Sequence, residues 1–320
     1  MAAMRVVSLL PSATEILCRI GGADLLVARS HECDFPQDIL DRPMLTSQRT
    51  SFTTSAEVDR AVRDALGEGQ GLYRLDGEGL RARRPDLILT QDLCEVCSVD
   101  LETVRRIAGS MDPSPEVLSL DPWSLEDVFD DMLRVGRALG REGQAGSAVV
   151  QLRERFHSAA ECVNPYTDPV PVLFLEWLDP LFCGGHWTPG LIERAGGSHP
   201  LNPTRAREET GGAATTVPRA AGKSVRITPE QGEAVQPEAV ILCPCGLDLE
   251  TTRREGARLL DQAWFRDLPA FRQGKVALVD GSQMFNRPGP RLVDAFEWLV
   301  GWLNDRPELI PSDFPWEPLA

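Results

Sequence analysis

Four places in this chain set sulfur or imidazole shortly after a short apolar run. His31-Glu32-Cys33 follows 25–28, Cys94-x-x-Cys97 follows 87–90, Cys183-Gly-Gly-His186 follows 172–177, and Cys243-Pro-Cys245 follows 239–242. Six of the eight cysteines and two of the four histidines fall there, and the eight cysteines read as thiols, metal ligands or core filler rather than as a disulfide framework. Cys94-x-x-Cys97 reads as a two-ligand metal clip, a redox pair, or two thiols beside a helix start, where the amino end of the helix favours the thiolate. Cys243 and Cys245 share a face only if a strand continues through them, and Pro244 argues for a loop instead. His186 follows two glycines that let a backbone approach a ligand closely, and a neutral imidazole is a good ligand for cobalt, iron or zinc. The bland alternative is a turn histidine bonded to a carbonyl. His157 and His199 read as structural or solvent-facing, and Cys18 and Cys162 as small buried thiols on helices.

Aromatic residues stand beside these groups. Trp177 and Trp187 flank the Cys183 to His186 loop, Trp123 opens a helix, and Phe285 precedes Asn286-Arg287-Pro288. Their rings suit the face of a large flat ligand, with core burial as the competing reading, which is preferred for Trp298 and Trp302. There is no GxSxG elbow, no GxxxxGK[ST] loop, no HExxH pair and no GxGxxG after the first strand, so no standard catalytic template is present.

The elements that must position these residues alternate. Strand 5–10 ends at Pro11, and Ser12-x-x-Glu15 has the form of a capping box for a helix stopping at Gly21-Gly22. Strands at 25–28, 86–90 and 117–120, with helical patterns at 57–65 and 101–108, make a parallel, helix-covered sheet. Two helices then follow Asp121-Pro122-Trp123, the second running from about 141 to 163, a rod of about 30 Å. Asn164 to Pro171 is the clearest boundary, and 172–177, 239–242 and 275–279 rebuild the αβ pattern, closed by an amphipathic helix after Pro290. Residues 202–223 show no periodicity and read as a surface loop. The fold class is α/β: an amino-terminal αβ lobe over 1–121, connecting helices over 122–165 and a carboxyl-terminal αβ lobe over 166–320, with mainly parallel sheets and a long inter-lobe helix. Open parallel sheets bind ligands beyond the carboxyl ends of their strands, which is where the sulfur and imidazole groups lie.

The chain has 320 residues and a formal charge of −15 from 33 basic against 48 acidic side chains. That surface repels phosphate backbones and anionic headgroups, so nucleic-acid and peripheral-membrane binding are disfavoured. No stretch reaches the roughly 20 apolar residues of a membrane span. Residues 1–10 do not form an export signal, so the expected location is cytoplasmic as sequenced, or periplasmic or cell-surface if a leader is missing.

Arg5-Val-Val-Ser-Leu-Leu-Pro-Ser-Ala-Thr-Glu-Ile-Leu, Phe182-Cys-Gly-Gly-His with Leu191-Ile-Glu-Arg-Ala-Gly-Gly, Pro237-Glu-Ala-Val-Ile-Leu and Gly274-Lys-Val resemble, in order along nearly the whole chain, the helical-backbone (class III) substrate-binding proteins. Within that class the sequence is most similar to the vitamin B12 (cobalamin)-binding branch, with iron-siderophore and haem binders as relatives. The resemblance implies two αβ lobes joined by a long helix, a cobalamin or related corrinoid held in the cleft between them, and an ABC transporter permease as partner. On this reading Ser12, His31, Trp123, Trp177, His186, Trp187, Phe285 and Arg287 contact the ligand. The metal-capable thiols are Cys33, Cys94, Cys97, Cys183, Cys243 and Cys245, while Glu57 and Glu230, one on each lobe, meet permease arginines. Glu57 and Glu230 match by position only, and an acidic residue favoured by a helix dipole is the simpler account. The rival is a cytosolic metal- or thiol-dependent enzyme, or a metal carrier, on the same scaffold, with iron or zinc held by Cys94, Cys97, Cys243 and Cys245.

Overall fold

A computed structural model describes residues 3–49, 54–57, 60–61, 72–92, 99–206 and 219–319. The chain divides into two compact units. Unit 1 comprises Met1–Phe52, Val58–Pro122 and Glu126–Leu152, and unit 2 comprises Thr53–Glu57, Trp123–Leu125 and Arg153–Ala320.

Unit 1 is built on strands β1 (Val6–Ser8), β2 (Leu26–Arg29), β5 (Leu87–Thr90) and β6 (Glu116–Ser119), in the order β2-β1-β5-β6 and all parallel. A small antiparallel pair, β3 (Thr46–Gln48) and β4 (Tyr73–Leu75), lies outside this sheet. Val6, Val7, Ile88 and Leu89 are wholly buried, as expected of strands covered on both faces by helices. Val7, Ile88, Leu80 and Val104 belong to one core cluster.

Unit 2 carries a mixed sheet. Strands β7 (Val170–Leu178), β13 (Ala239–Leu242) and β14 (Val276–Val279) are parallel, and β9 (Gly197–Ser198) pairs parallel with β7. Antiparallel β8 (Leu181–Cys183), β12 (Val225–Arg226) and β15 (Trp316–Pro318) extend its edges in the order β12-β8-β7-β13-β14-β15. The 202–223 stretch is not featureless, since β10 (Arg205–Ala206) and β11 (Arg219–Ala220) form a two-stranded pair within it.

Local chemistry sets the helix starts. Asp76, Asp100 and Asp248 each accept backbone N–H groups from the first turn of the helix that follows. Thr228 and Gln231 complete a reciprocal capping box at 3.3 and 2.8 Å. The box expected from Ser12 and Glu15 does not form. The Pro11–Arg19 helix starts two residues earlier, with Leu10 as an uncapped N-cap, because Pro11 has no N–H to satisfy and a φ already set for a helix. Ser12 therefore lies inside the first turn, only 3% exposed. The helix expected over 57–65 falls mostly outside the described residues. The long helix is Glu142–Ala160, about 28 Å at 1.5 Å per residue, and the division between units passes through it after Leu152. No helix among the described residues is long and apolar enough to cross a membrane.

Candidate functional site

His186 is the best-placed imidazole of unit 2. It follows β8 directly after Gly184 and Gly185 and sits at φ 54°, in the left-handed region that non-glycine residues seldom occupy. Gly185 is required by contact: a Cβ there would lie 2.3 Å from Ser224 N and 2.6 Å from the Lys223 carbonyl carbon. The His186 N–H donates to Gly222 O at 2.8 Å, fastening the turn to the segment before β12. The imidazole packs against Trp123, with centroids 4.8 Å apart, and against Trp187 at 5.5 Å. Its Nε2 is buried without a hydrogen-bond partner. Burial, and then the nearby Lys223 ammonium, lower its pKa, so the ring is neutral at pH 7 with a lone pair to give. Trp187 is anchored by its Nε1–H, which donates to Phe285 O at 2.7 Å.

In unit 1, His31 follows β2. Thr46 Oγ1 lies 2.6 Å from its Nδ1 and 3.0 Å from its backbone N, and the Thr46 hydroxyl donates to Ser30 Oγ at 3.0 Å. With its proton committed to Ser30, Thr46 accepts from Nδ1–H. That tautomer leaves the lone pair on Nε2, which is also buried and unpartnered. The ring tilts against Tyr73 at 5.2 Å, and the Tyr73 hydroxyl donates to Glu32 Oε1 at 2.7 Å.

The structure thus brings Trp123, His186 and Trp187 together in unit 2 and places His31 in a polar network of unit 1. The other expected site residues are placed as follows. Phe285 is wholly buried, edge-on to Phe174 at 5.2 Å and to Trp298 at 5.9 Å, because the Met284–Asn286 turn directs it into the core. Trp177 donates its Nε1–H to Ser55 O at 3.1 Å, a tie within unit 2. Arg287 is 9% exposed, in a tight turn where its N–H donates to Met284 O. Glu57 groups with unit 2 rather than unit 1, since the Ser55 N–H donates to the buried Glu255 carboxylate at 3.0 Å. Glu230 is exposed in the first turn of the Pro229–Ala234 helix, and a hydrogen bond with Thr228 lowers its pKa.

Among the described residues no group of three or more His, Cys, Asp or Glu is arranged to hold a metal ion. Cys33 is buried and receives a hydrogen bond from the Thr14 hydroxyl at 3.1 Å. Cys183 ends β8 opposite Leu175 and belongs to the core of unit 2, where burial pushes its thiol up to about 11. Cys243 follows β13, is wholly buried with its pKa raised by desolvation, and takes a 3.5 Å contact from Asn286 Nδ2. Such thiols are poor nucleophiles and poor thiolate ligands. Cys245 is exposed, and Cys94 and Cys97 lie outside the described residues. Replacing Cys245 by serine is expected to remove one fast-reacting thiol from a colorimetric thiol count on the native protein at pH 7. Replacing Cys243 leaves that fast count unchanged; a fast-reacting Cys243 would contradict its placement.

One residue with a central position lies where the sequence shows only an aperiodic loop. Asn202, 8% exposed, donates its side-chain amide to Gly184 O at 3.1 Å, Gly222 O at 3.4 Å and Lys223 O at 3.0 Å. The one signal for it is an amide residue directly before Pro203, a turn-forming pair rather than a functional motif.

The chain has the fold of the class III periplasmic binding proteins. It is similar to the periplasmic heme-binding protein RhuT from Roseiflexus sp. RS-1 in apo form, at 22% identity and a TM-score of 0.68 over 95% of this chain and 99% of that chain. A periplasmic heme binding protein from Pseudomonas aeruginosa is similar at 21% identity and a TM-score of 0.66, over 98% and 95% of the two chains. So is the periplasmic vitamin B12 binding protein BtuF of Vibrio cholerae, at 18% identity and a TM-score of 0.66, over 96% and 98%. No protein-family model and no curated protein matches the chain. At these identities the likeness carries the fold alone.

Proposed function

We propose that this protein is a substrate-binding protein for a metal-containing tetrapyrrole, handing it to an ABC transporter permease, and that His186 Nε2 supplies a ligand to the bound metal. The observation that carries this reading is a neutral, buried, unpartnered imidazole held in a left-handed turn beside two indoles. Because Nε2 is covered, ligand entry moves an indole aside. The net charge of −15 ranks a corrinoid with neutral amide substituents ahead of haem with two ionised carboxylates. Three similar solved structures are described as periplasmic heme- or vitamin B12-binding proteins, which supports tetrapyrrole cargo and favours the periplasmic location over the cytoplasmic one. Exposed Glu230 is the carboxylate best suited to meet basic permease groups. Of the thiols the enzyme alternative needs, Cys243 is buried with its pKa raised, which weighs against its acting as a thiolate.

Absorbance titration with aquocobalamin and with hemin tests the proposal. Displacement of the metal-bound water by imidazole shifts the aquocobalamin spectrum, and His186→Ala is expected to remove the shift and weaken binding at least tenfold, about 1.4 kcal/mol. Wild-type protein that leaves both spectra unchanged at about 50 μM, a concentration at which even a binder of roughly −6 kcal/mol would register, overturns it.

A further inference from the structure

We infer that Asn202 is the positioning residue that holds His186 ready for a ligand, an inference that rests on the binding role of His186 proposed above. A left-handed histidine persists only where its surroundings fix it. Here the fixing comes from two backbone segments pressed together, Gly184–His186 against Gly222–Ser224, so close that no Cβ fits on Gly185. The β8–β12 pairing, with Cys183 opposite Val225, holds one end of these segments, and the His186 N–H donates to Gly222 O. Asn202 adds bonds beyond that pairing from one side chain, with its amide hydrogens shared among one carbonyl of the histidine turn, Gly184, and two of the facing segment, Gly222 and Lys223. Three acceptors converge on the amide, which fixes its orientation, since a rotated side chain would set oxygen against oxygen. Asn202 is itself held, as its N–H donates to His199 O at 3.2 Å. Neither His186 nor Lys223 is touched by the amide through its side chain, so Asn202 acts on the imidazole only through backbone position.

The consequence is specific to Asn202. Without its donors the carbonyls of Gly184 and Lys223 lose their partner and Gly222 O keeps only the His186 N–H, so water enters and the two segments part. His186 then loses the constraint on its φ and turns its ring out from Trp123 and Trp187. Serine at 202 keeps one hydroxyl donor and restores part of the grip.

Acylation of the ligand-free protein by diethyl pyrocarbonate, followed residue by residue by peptide mass spectrometry, reads this directly, because only four histidines are present. Asn202→Ala is expected to raise the rate at His186 at least tenfold while His31 and His157 keep their wild-type rates. Asn202→Ser falls between wild type and alanine. A His186 rate within twofold of wild type in the alanine variant overturns the inference. If alanine unfolds unit 2, seen as buried His199 accelerating as well, the serine variant decides: faster at His186 alone supports the role, and no change overturns it. With aquocobalamin the alanine variant is expected to bind at least tenfold more weakly and to lose the coordination shift. Should wild-type protein bind no tetrapyrrole, the cargo reading fails, while the acylation rates still settle what Asn202 does.

Discussion

Replacing Trp298 by alanine is expected to lower the unfolding free energy by about 4 kcal/mol, among the larger costs seen for a buried aromatic. The indole is wholly buried. It stacks on Trp302 at 5.2 Å and 11° and on Phe314 at 5.1 Å and 15°, and it meets Phe285 and Trp316 edge-on at 5.9 and 5.5 Å. Those partners come from the Leu292–Leu303 helix, the Met284–Asn286 turn, the approach to β15 and β15 itself, so one side chain ties the last strand to the last helix. Its Nε1–H has no partner, which makes part of the burial unfavourable, and a phenylalanine in its place keeps the ring contacts without that group. Trp298→Phe should therefore cost less than about 2 kcal/mol. Urea unfolding followed by fluorescence compares the two, and an alanine variant as stable as the phenylalanine one would show that the stack does not hold the carboxyl-terminal strand.

The second large effect is acid sensitivity through His199. Its ring is 2% exposed, neither nitrogen makes a hydrogen bond of normal geometry, and desolvation lowers its pKa from 6.5 to about 4. Backbone groups of Asn202 and Phe174 and the Glu193 carboxylate act in the opposite direction but do not prevail. Because the unfolded chain takes up a proton first, the neutral ring contributes its full stability above pH 6.5. That stability is lost as pH falls toward 4, below which the loss is complete, roughly 3 kcal/mol in all. Between pH 7 and pH 5 the expected loss is about 2 kcal/mol. His199→Gln cannot take the proton, so its stability should change less by that amount over the same interval. Equal pH dependence of the two proteins in urea would show that His199 is solvated or paired.

The parts of the fold that follow from covalent preference and burial are readable in the residues. Val6-Val7, Leu87–Leu89 and Ala239–Leu242 are apolar on both faces and lie where a helix-covered sheet needs them. Short antiparallel edges are not readable in the same way. β8 and β12 are three and two residues long, and β15 ends on Pro318, which pattern reading excludes from a strand although an edge tolerates it. At the site, His186 is legible because two glycines announce a close backbone approach. For the thiols, a position after an apolar run does not say which way the side chain points. Cys183 is still within the sheet and Cys243 turns inward toward Asn286. Asn202 is hidden for a third reason: its partners are carbonyls at 184, 222 and 223, and backbone acceptors leave no mark on composition or spacing.

Unit 2 is not a continuous piece of the chain, and this governs how it can be made. A fragment starting at residue 153 lacks the Ser55 N–H that meets Glu255 and the Ser55 carbonyl that meets Trp177. It also lacks Trp123, so the imidazole of His186 loses one of its two neighbouring indoles. Ser55 and Glu255 are 200 residues apart, so assembly is completed only after most of the polypeptide has been synthesised, and the loop that closes is among the slowest kinds to form. Dissecting this protein at its apparent boundary would therefore yield a half that folds late, or not at all, for want of eight residues it never contained.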